Sequence, residues 1–534
     1  MTLPTVAYFS MEIGVDDSLH TYSGGLGFLA GSHMLSAGQL NLPMVGVTIL
    51  WANGYGDQQI NDHGEVEIVY KKREYPFLTD TGITVEVDIF GEPVQVKAFK
   101  LEKEKFGAAP IYLLTTDIPE NKPQHRQLTN VLYDSDQRTR ISQEIILGKA
   151  GYLVLEASHE NFDLVHINEG HALPALFEML DRYAGNLDQV RHHAVFTTHT
   201  PVTAGNESHP AELLAEAGFF GKTPLEKAIY LGGHDFSLTV AALRMCRIAN
   251  GVSQLHGLVA NKMWEWVEPR CPIIAITNAV NLHYWQDPRI PACQTAQDII
   301  GLKREMKKDL FEFIHNETGK TLDPDVLTLV WARRFTQYKR AGLILTDPDR
   351  IGRLLGDKKV QLIFAGKFHP NDTDGRETFN HILRYADAMP SVAILPNYEL
   401  ELSRKLKKGA DIWLNTPLRP LEASGTSGMS ANMNGAIHLT TYDGWSVEGT
   451  FHEINGFIIN NEAYSNTLSW EECNRLDYES MMYLLEERII PTYYENHDHW
   501  AWLMYNAIHT AGAFFHSDRM AIEYFNKLYK PIHL

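Results

Sequence analysis

The segment WARRFTQYKR at 331–340 sets Arg333, Arg334 and Lys339 close behind an apolar run, LTLVW. On one continuous helix the offset between Arg334 and Lys339 puts them on different faces. They converge only if Arg334 lies in the loop after a strand and Lys339 in the first turn of the next helix. There they would neutralise a phosphate at the carboxyl end of a parallel sheet; the alternative is a solvated basic helix start. A second stretch, EASGTSGMSANMNG at 422–435, has one acid at its head and then Ser424, Gly425, Thr426, Ser427, Gly428 and Ser430. Small residues let the backbone approach a ligand, and Glu422 is an acceptor-only group suited to sugar hydroxyls. The alternative is an ordinary capped helix start, although a cap needs one such residue and this run has several.

TYSGGLGFLAG at 21–31 leaves backbone amides uncovered before a helical stretch, fit to cradle a phosphate or admit a sugar ring, or merely to turn tightly. His166 and His171 in VHINEGH and His199 in FTTHTP stand at strand ends. Each is a candidate acid, base or polar ligand contact, or a hydrogen-bonded structural histidine. Glu169 and His171 lack the HExxH spacing, and Cys246, Cys271, Cys293 and Cys473 show no CxxC, so no metal is expected.

These groups need a scaffold of buried parallel strands. Short β-branched runs occur at 163–168, 193–198, 273–277, 327–332, 360–366, 392–396, 411–415 and 436–441, separated by helix-length sequence. From about 286 to 480 they suit a single doubly wound sheet. The first half is less regular, with an antiparallel-looking insertion near 64–115, and 478–534 reads as aromatic and helical. A chain of 534 residues divides into more than one domain. The expected division is 1–285, 286–480 and a helical tail at 481–534 crossing back to the first domain.

Hydrophobic residues at 44% and charged residues at 21% describe a globular chain and set disorder aside. A net charge of −19, spread along the chain, argues against a grip on nucleic acid or anionic membrane. The opening MTLPTVAYFSMEIG has neither a basic n-region nor an apolar h-region, and no stretch is apolar for the length of a membrane span. The expected location is cytoplasmic. Composition says nothing of oligomeric state.

In their order, YFSMEIGVDD, TYSGGLGFLAG, HINEGH, FTTHTPV, NGVSQLHG, TNAVNLHYW, RRFTQYKR, FAGKFHP and EASGTSGM make the chain resemble the α-glucan (glycogen) phosphorylase family over nearly its whole length. The resemblance implies an α/β protein of GT-B form, two Rossmann-like domains facing across a cleft, and glucosyl transfer with retention of configuration. It further implies that Arg333, Arg334, Lys339 and Thr426 bind the donor phosphate with the amides of Gly25 and Leu26. Asn278, Tyr338, Glu422, Ser424 and Gly425 would hold the glucosyl hydroxyls, and His199 would lie against the sugar. His199, Arg334 and Lys339 are thus the expected catalytic residues.

Phosphorylases carry a lysine near the end of the GTSGM motif, linked to pyridoxal phosphate; here the aligned residue is Ser430. A hydroxyl forms no imine. Ala279 in TNAVN and GYGDQQ at 54–59 are smaller departures. The expectation is therefore a hexosyltransferase without covalent cofactor, moving a hexosyl unit from a nucleotide-sugar to a glucan or small carbohydrate acceptor. The alternatives are a phosphorylase using phosphate and glucose 1-phosphate, with pyridoxal phosphate absent or bound noncovalently, and an inactive glucan-binding relative.

Overall fold

The computed structural model describes residues 3–202, 205–460 and 468–530. The chain forms two compact units. The first comprises Met1–Gly56, Tyr70–Asn278 and Ser517–Leu534, the second Asp57–Val69 and Ala279–His516. The expected boundary at 285 thus falls at 278, and the segment expected as one helical tail is shared between the units. Its larger part, including the helix His497–Phe514, packs in the second unit because Trp500, Leu503 and Met504 join that unit's core.

The first unit is built on nine strands: β1 (Val6–Ser10), β2 (Met44–Ile49), β3 (Thr79–Ile89), β4 (Glu92–Leu101), β5 (Ile111–Thr115), β6 (Leu164–Asn168), β7 (Ala194–Thr197), β8 (Ile248–Gly251) and β9 (Ile273–Ala275). Their order in the sheet is β9-β8-β7-β6-β1-β2-β5-β4-β3. Seven strands pair in parallel, and the β3–β4 hairpin closes one edge antiparallel. The chain runs outward from β1 to β5, then returns to the other side of β1 with β6. The switch point of this sheet therefore lies between β1 and β6, and the loops after those strands share one end.

The second unit repeats the plan more plainly with β10 (Leu327–Ala332), β11 (Val360–Ala365), β12 (Val392–Leu395), β13 (Ile412–Asn415), β14 (Ile437–Thr441) and β15 (Gly456–Ile459). The order is β12-β11-β10-β13-β14-β15, parallel throughout, with Leu329 opposite Ile412 across the switch point. Every residue of these six strands is buried, as expected where helices cover both faces. A buried ion pair joins the amino ends of β10 and β13: Lys307 Nζ lies 2.5 Å from Asp411 Oδ2, and that carboxylate also accepts the Thr328 N–H at 2.9 Å. Lys307 comes from the helix Ala296–Thr318, which starts at a Thr295/Asp298 capping box and stops at Gly319 with φ 71°. The strands are fastened at one end and present loops at the other.

Among the described residues no helix is long and apolar enough to cross a membrane.

Candidate functional site

At the carboxyl ends of β10 and β13 the two sequence constellations meet. The Arg333 amide still belongs to the sheet, donating to Ala365 O at 3.0 Å. Its side chain then crosses the switch point: Nη1 lies 3.2 Å from Glu422 Oε2 and Nη2 3.4 Å from Ser427 Oγ. Residues Gln337–Lys339 form one 3₁₀ turn instead of starting an α-helix, and this turn swings Lys339 Nζ to 3.3 Å from the same carboxylate oxygen. Arg334, between them in the loop, is exposed, so Arg333 makes the buried contact with Glu422. Tyr338 lies beside Lys339, whose Nζ is 5.3 Å from its ring, and its carbonyl accepts the Leu418 N–H.

The electrostatics come from placing three charges together away from water. Burial lowers the Lys339 ammonium from its ordinary range to about 8, although Glu422 works against the fall. Burial alone would raise the Glu422 carboxyl, but Lys339 and Arg333 outweigh it and hold the group below its ordinary value. Glu422 is thus an ionised acceptor, and Lys339 is poised to take up a proton fully once an anion arrives. Burial also pushes the Tyr338 phenol up.

The loop after β13 is held from behind by Asp443, a residue that belongs to none of the sequence motifs. Asp443 accepts the N–H of Glu422 at 2.9 Å and that of Gly444 at 2.8 Å, and burial raises its carboxyl to about 7. Gly444 has φ 57°, and a Cβ there would stand 2.4 Å from Ser424 O. Ser424 O in turn accepts the Trp445 N–H at 2.9 Å, which fixes the turn at Ser424 and Gly425. Thr426 precedes the short helix Ser427–Asn432 and accepts at its carbonyl from Ser430. Ser430 is fully buried, its hydroxyl donating to Ser427 O at 3.1 Å and Thr426 O at 3.3 Å. The buried polar atoms Arg333 Nε, Ser424 Oγ and His438 Nε2 around this loop make no hydrogen bond among the described residues.

The first unit gathers its own candidates at the carboxyl ends of β1, β6 and β7. Glu12 accepts the N–H of Ser23 at 2.6 Å and of Gly24 at 3.3 Å, as well as Ser23 Oγ and Tyr133 OH, and so fixes the glycine-rich turn before the helix Gly25–Gln39. No atom lies within 4 Å of a Cβ built at Gly24 or Gly25, whereas one at Gly31 would collide with Gly14 O at 1.7 Å. Gly31 is explained by packing, and Gly24 and Gly25 are not. Leu26 is half-buried beside them. His199 Nε2 lies 2.8 Å from Asn168 Oδ1, and its amide donates to Glu169 Oε1. Burial holds the His199 imidazole down at about 3 and the Glu169 carboxyl up at about 7. Asn278 is buried with its amide on Val252 O at 2.9 Å, and its Oδ1 makes no hydrogen bond. His166, by contrast, is enclosed between Tyr529 OH and Thr197 Oγ1, each at 2.7 Å, and serves the core. Glu12 and Glu169 stand inside motifs already noted, but their capping of backbone amides needed the fold to show it.

A parallel sheet of order 3-2-1-4-5-6 with a carboxylate and two cations at its switch point defines a doubly wound α/β protein. The comparisons with known proteins agree. The family model described as carbohydrate phosphorylase matches residues 290–458. A maltodextrin phosphorylase of Thermococcus litoralis is 34% identical over 590 aligned residues, 98% of this chain and 70% of its own. A glycogen phosphorylase of Aquifex aeolicus is 31% identical, covering 99% of this chain and 86% of its own. An uncharacterized protein of Methanocaldococcus jannaschii is 45% identical over 98% of this chain and 99% of its own. The chain belongs to the carbohydrate phosphorylase family.

Proposed function

We propose that this protein is a glycosyltransferase of the phosphorylase type, moving a glucosyl unit between an α-glucan and orthophosphate with glucose 1-phosphate as the sugar phosphate. The observation that carries the reading is the Arg333–Glu422–Lys339 cluster at the switch point of the second unit. Glu422 offers an ionised acceptor for sugar hydroxyls, and Arg333, Lys339 and the loop residue Arg334 offer positive charge to a phosphate. In this reading Tyr338, Ser424 and Gly425 of the second unit contact the sugar and Thr426 serves the phosphate.

The nucleotide-sugar donor expected from Ser430 gives way here. The relatives from Thermococcus litoralis and Aquifex aeolicus are maltodextrin and glycogen phosphorylases, and neither is named for a nucleotide-sugar. The family implies pyridoxal phosphate, yet the residues at 427–430 do not fit its covalent attachment. Ser430 is an alcohol, buried, with its hydroxyl spent on two carbonyl groups one turn before it. We assign no step to that cofactor.

The test is direct. Purified protein with maltodextrin or glycogen and orthophosphate is assayed for glucose 1-phosphate, and with glucose 1-phosphate and maltodextrin for released phosphate. Turnover in both directions is expected. Nucleotide release from a sugar nucleotide, with no phosphate release from glucose 1-phosphate, would overturn the reading.

A further inference from the structure

We propose that Glu144, Glu207 and His209 of the first unit form a binding site for one divalent transition-metal ion of the zinc type. No metal is expected from residue spacing, because the helix Gln137–Ile145 supplies one donor, and the strand Ser208–Pro210 with the residue just before it supplies the other two. Only the fold brings them together: one atom from each of the three residues falls within 4.8 Å of the others.

The distances suit ligands of one ion and are long for hydrogen bonds. His209 Nε2 lies 3.7 Å from Glu144 Oε2 and 3.4 Å from Glu207 Oε1, and it makes no hydrogen bond. Donors bound tetrahedrally at about 2.1 Å stand about 3.4 Å apart, close to the two separations from His209 Nε2, and a small inward shift of the carboxylates would bring all three onto one ion. Glu144 is the second, independent sign. Its side chain is 0% exposed and neither carboxylate oxygen accepts a hydrogen bond. A fully buried carboxylate without a donor is among the most costly groups a core can hold; protonation or a cation relieves it, and a metal ion would be such a cation.

The neighbouring Arg140 does not fill this role. Its guanidinium forks onto Glu207, Nε at 2.9 Å and Nη2 at 2.7 Å, and leaves Glu144 without a donor. Each Glu207 oxygen keeps a lone pair for a metal. Gln137 Nε2 lies 3.2 Å from His209 Nδ1; half a turn of this carboxamide would let its oxygen accept Nδ1–H and leave His209 Nε2 free to ligate. Two carboxylates and one imidazole form a donor set for zinc or manganese more than for magnesium. The site also backs the glycine-rich turn: the Arg140 guanidinium lies 4.6 Å over the Tyr133 ring, and Tyr133 OH donates to Glu12, which holds Ser23 and Gly24.

Full-length protein, purified without an affinity tag and without chelator, is analysed for bound metals, then stripped and titrated with Zn²⁺, Mn²⁺ or Mg²⁺ alone. One tightly held transition-metal ion per chain is expected, with a rise in the unfolding midpoint on adding Zn²⁺ to the stripped protein. Glu144→Gln and His209→Ala should each lose both the ion and the rise. A folded wild-type chain that neither retains nor binds a transition metal would overturn the proposal. So would zinc bound equally by both variants, which would mark an adventitious site elsewhere. Should a variant fail to fold, Co²⁺ added to the stripped wild type decides: a visible absorption of low-symmetry coordination supports the site, and a spectrum of the hexaaqua ion refutes it.

Discussion

Lys339 gives the sharpest handle on the proposed phosphate site. Its ammonium is held at about 8 because it is largely buried, even with Glu422 3.3 Å away. In the free protein it is therefore about nine-tenths protonated at pH 7 and about one-tenth protonated at pH 9. A phosphate monoester, whose second pKa is about 6, is a dianion across that window. Its arrival beside Lys339 favours the ammonium, so binding is coupled to proton uptake wherever the free amine is neutral. Glucose 1-phosphate affinity should be level between about pH 6.5 and 7.5 and approach a fall of about tenfold per pH unit between about pH 8.5 and 10, the slope of a single required proton. Calorimetric titration across pH, in buffers of different ionisation enthalpy, measures both the slope and the proton taken up. Lys339→Arg keeps its charge throughout and should flatten the profile, whatever it costs in absolute affinity. A wild-type profile flat to pH 10, or an equal slope in the arginine variant, would refute the assignment of Lys339 to the phosphate.

Other perturbations probe the residues around it. Glu422→Gln leaves Arg333 and Lys339 without their anion; transfer should fall by about 100-fold or more, on the scale of removing a preorganised charge from a site. Losing Glu422 should also lower the Lys339 pKa, so the fall in glucose 1-phosphate affinity should begin at lower pH in that variant. Gly444→Ala meets both a φ of 57° and a 2.4 Å approach to Ser424 O, and should lower the unfolding midpoint by the equivalent of about 2 kcal/mol or more. Activity should be unchanged by added pyridoxal phosphate or by prior hydroxylamine treatment; a rise on adding the cofactor would show a noncovalent role for it.

The second unit was legible because its strands are uniformly apolar and regularly spaced: the run 327–332 is β10 to the residue, and the runs near 360, 392, 411 and 436 are β11 to β14. Spacing paired Lys339 with Arg334, whereas the structure brings Lys339 and Arg333 onto Glu422 at the switch point. Which arginine turns inward could not be read from spacing, since Arg333 and Arg334 are adjacent and only the sheet bond from Arg333 to Ala365 settles their directions. In the first unit the same strand order was obscured by the antiparallel hairpin β3–β4, which along the chain separates β2 from its parallel neighbour β5. Asp443 escaped notice because its work is done on backbone amides, which leave no spacing signature. The Glu144–Glu207–His209 cluster escaped for a related reason, its first donor lying far from the other two along the chain.

The central claim concerns the donor, and a single competition experiment addresses it. Maltodextrin is offered glucose 1-phosphate and a panel of glucose nucleotides together, and released phosphate and released nucleotides are quantified in the same sample. Phosphate release that depends on Glu422 and Lys339, without nucleotide release, is the predicted result. Nucleotide release alone would contradict the claim and return the site to a nucleotide-sugar donor.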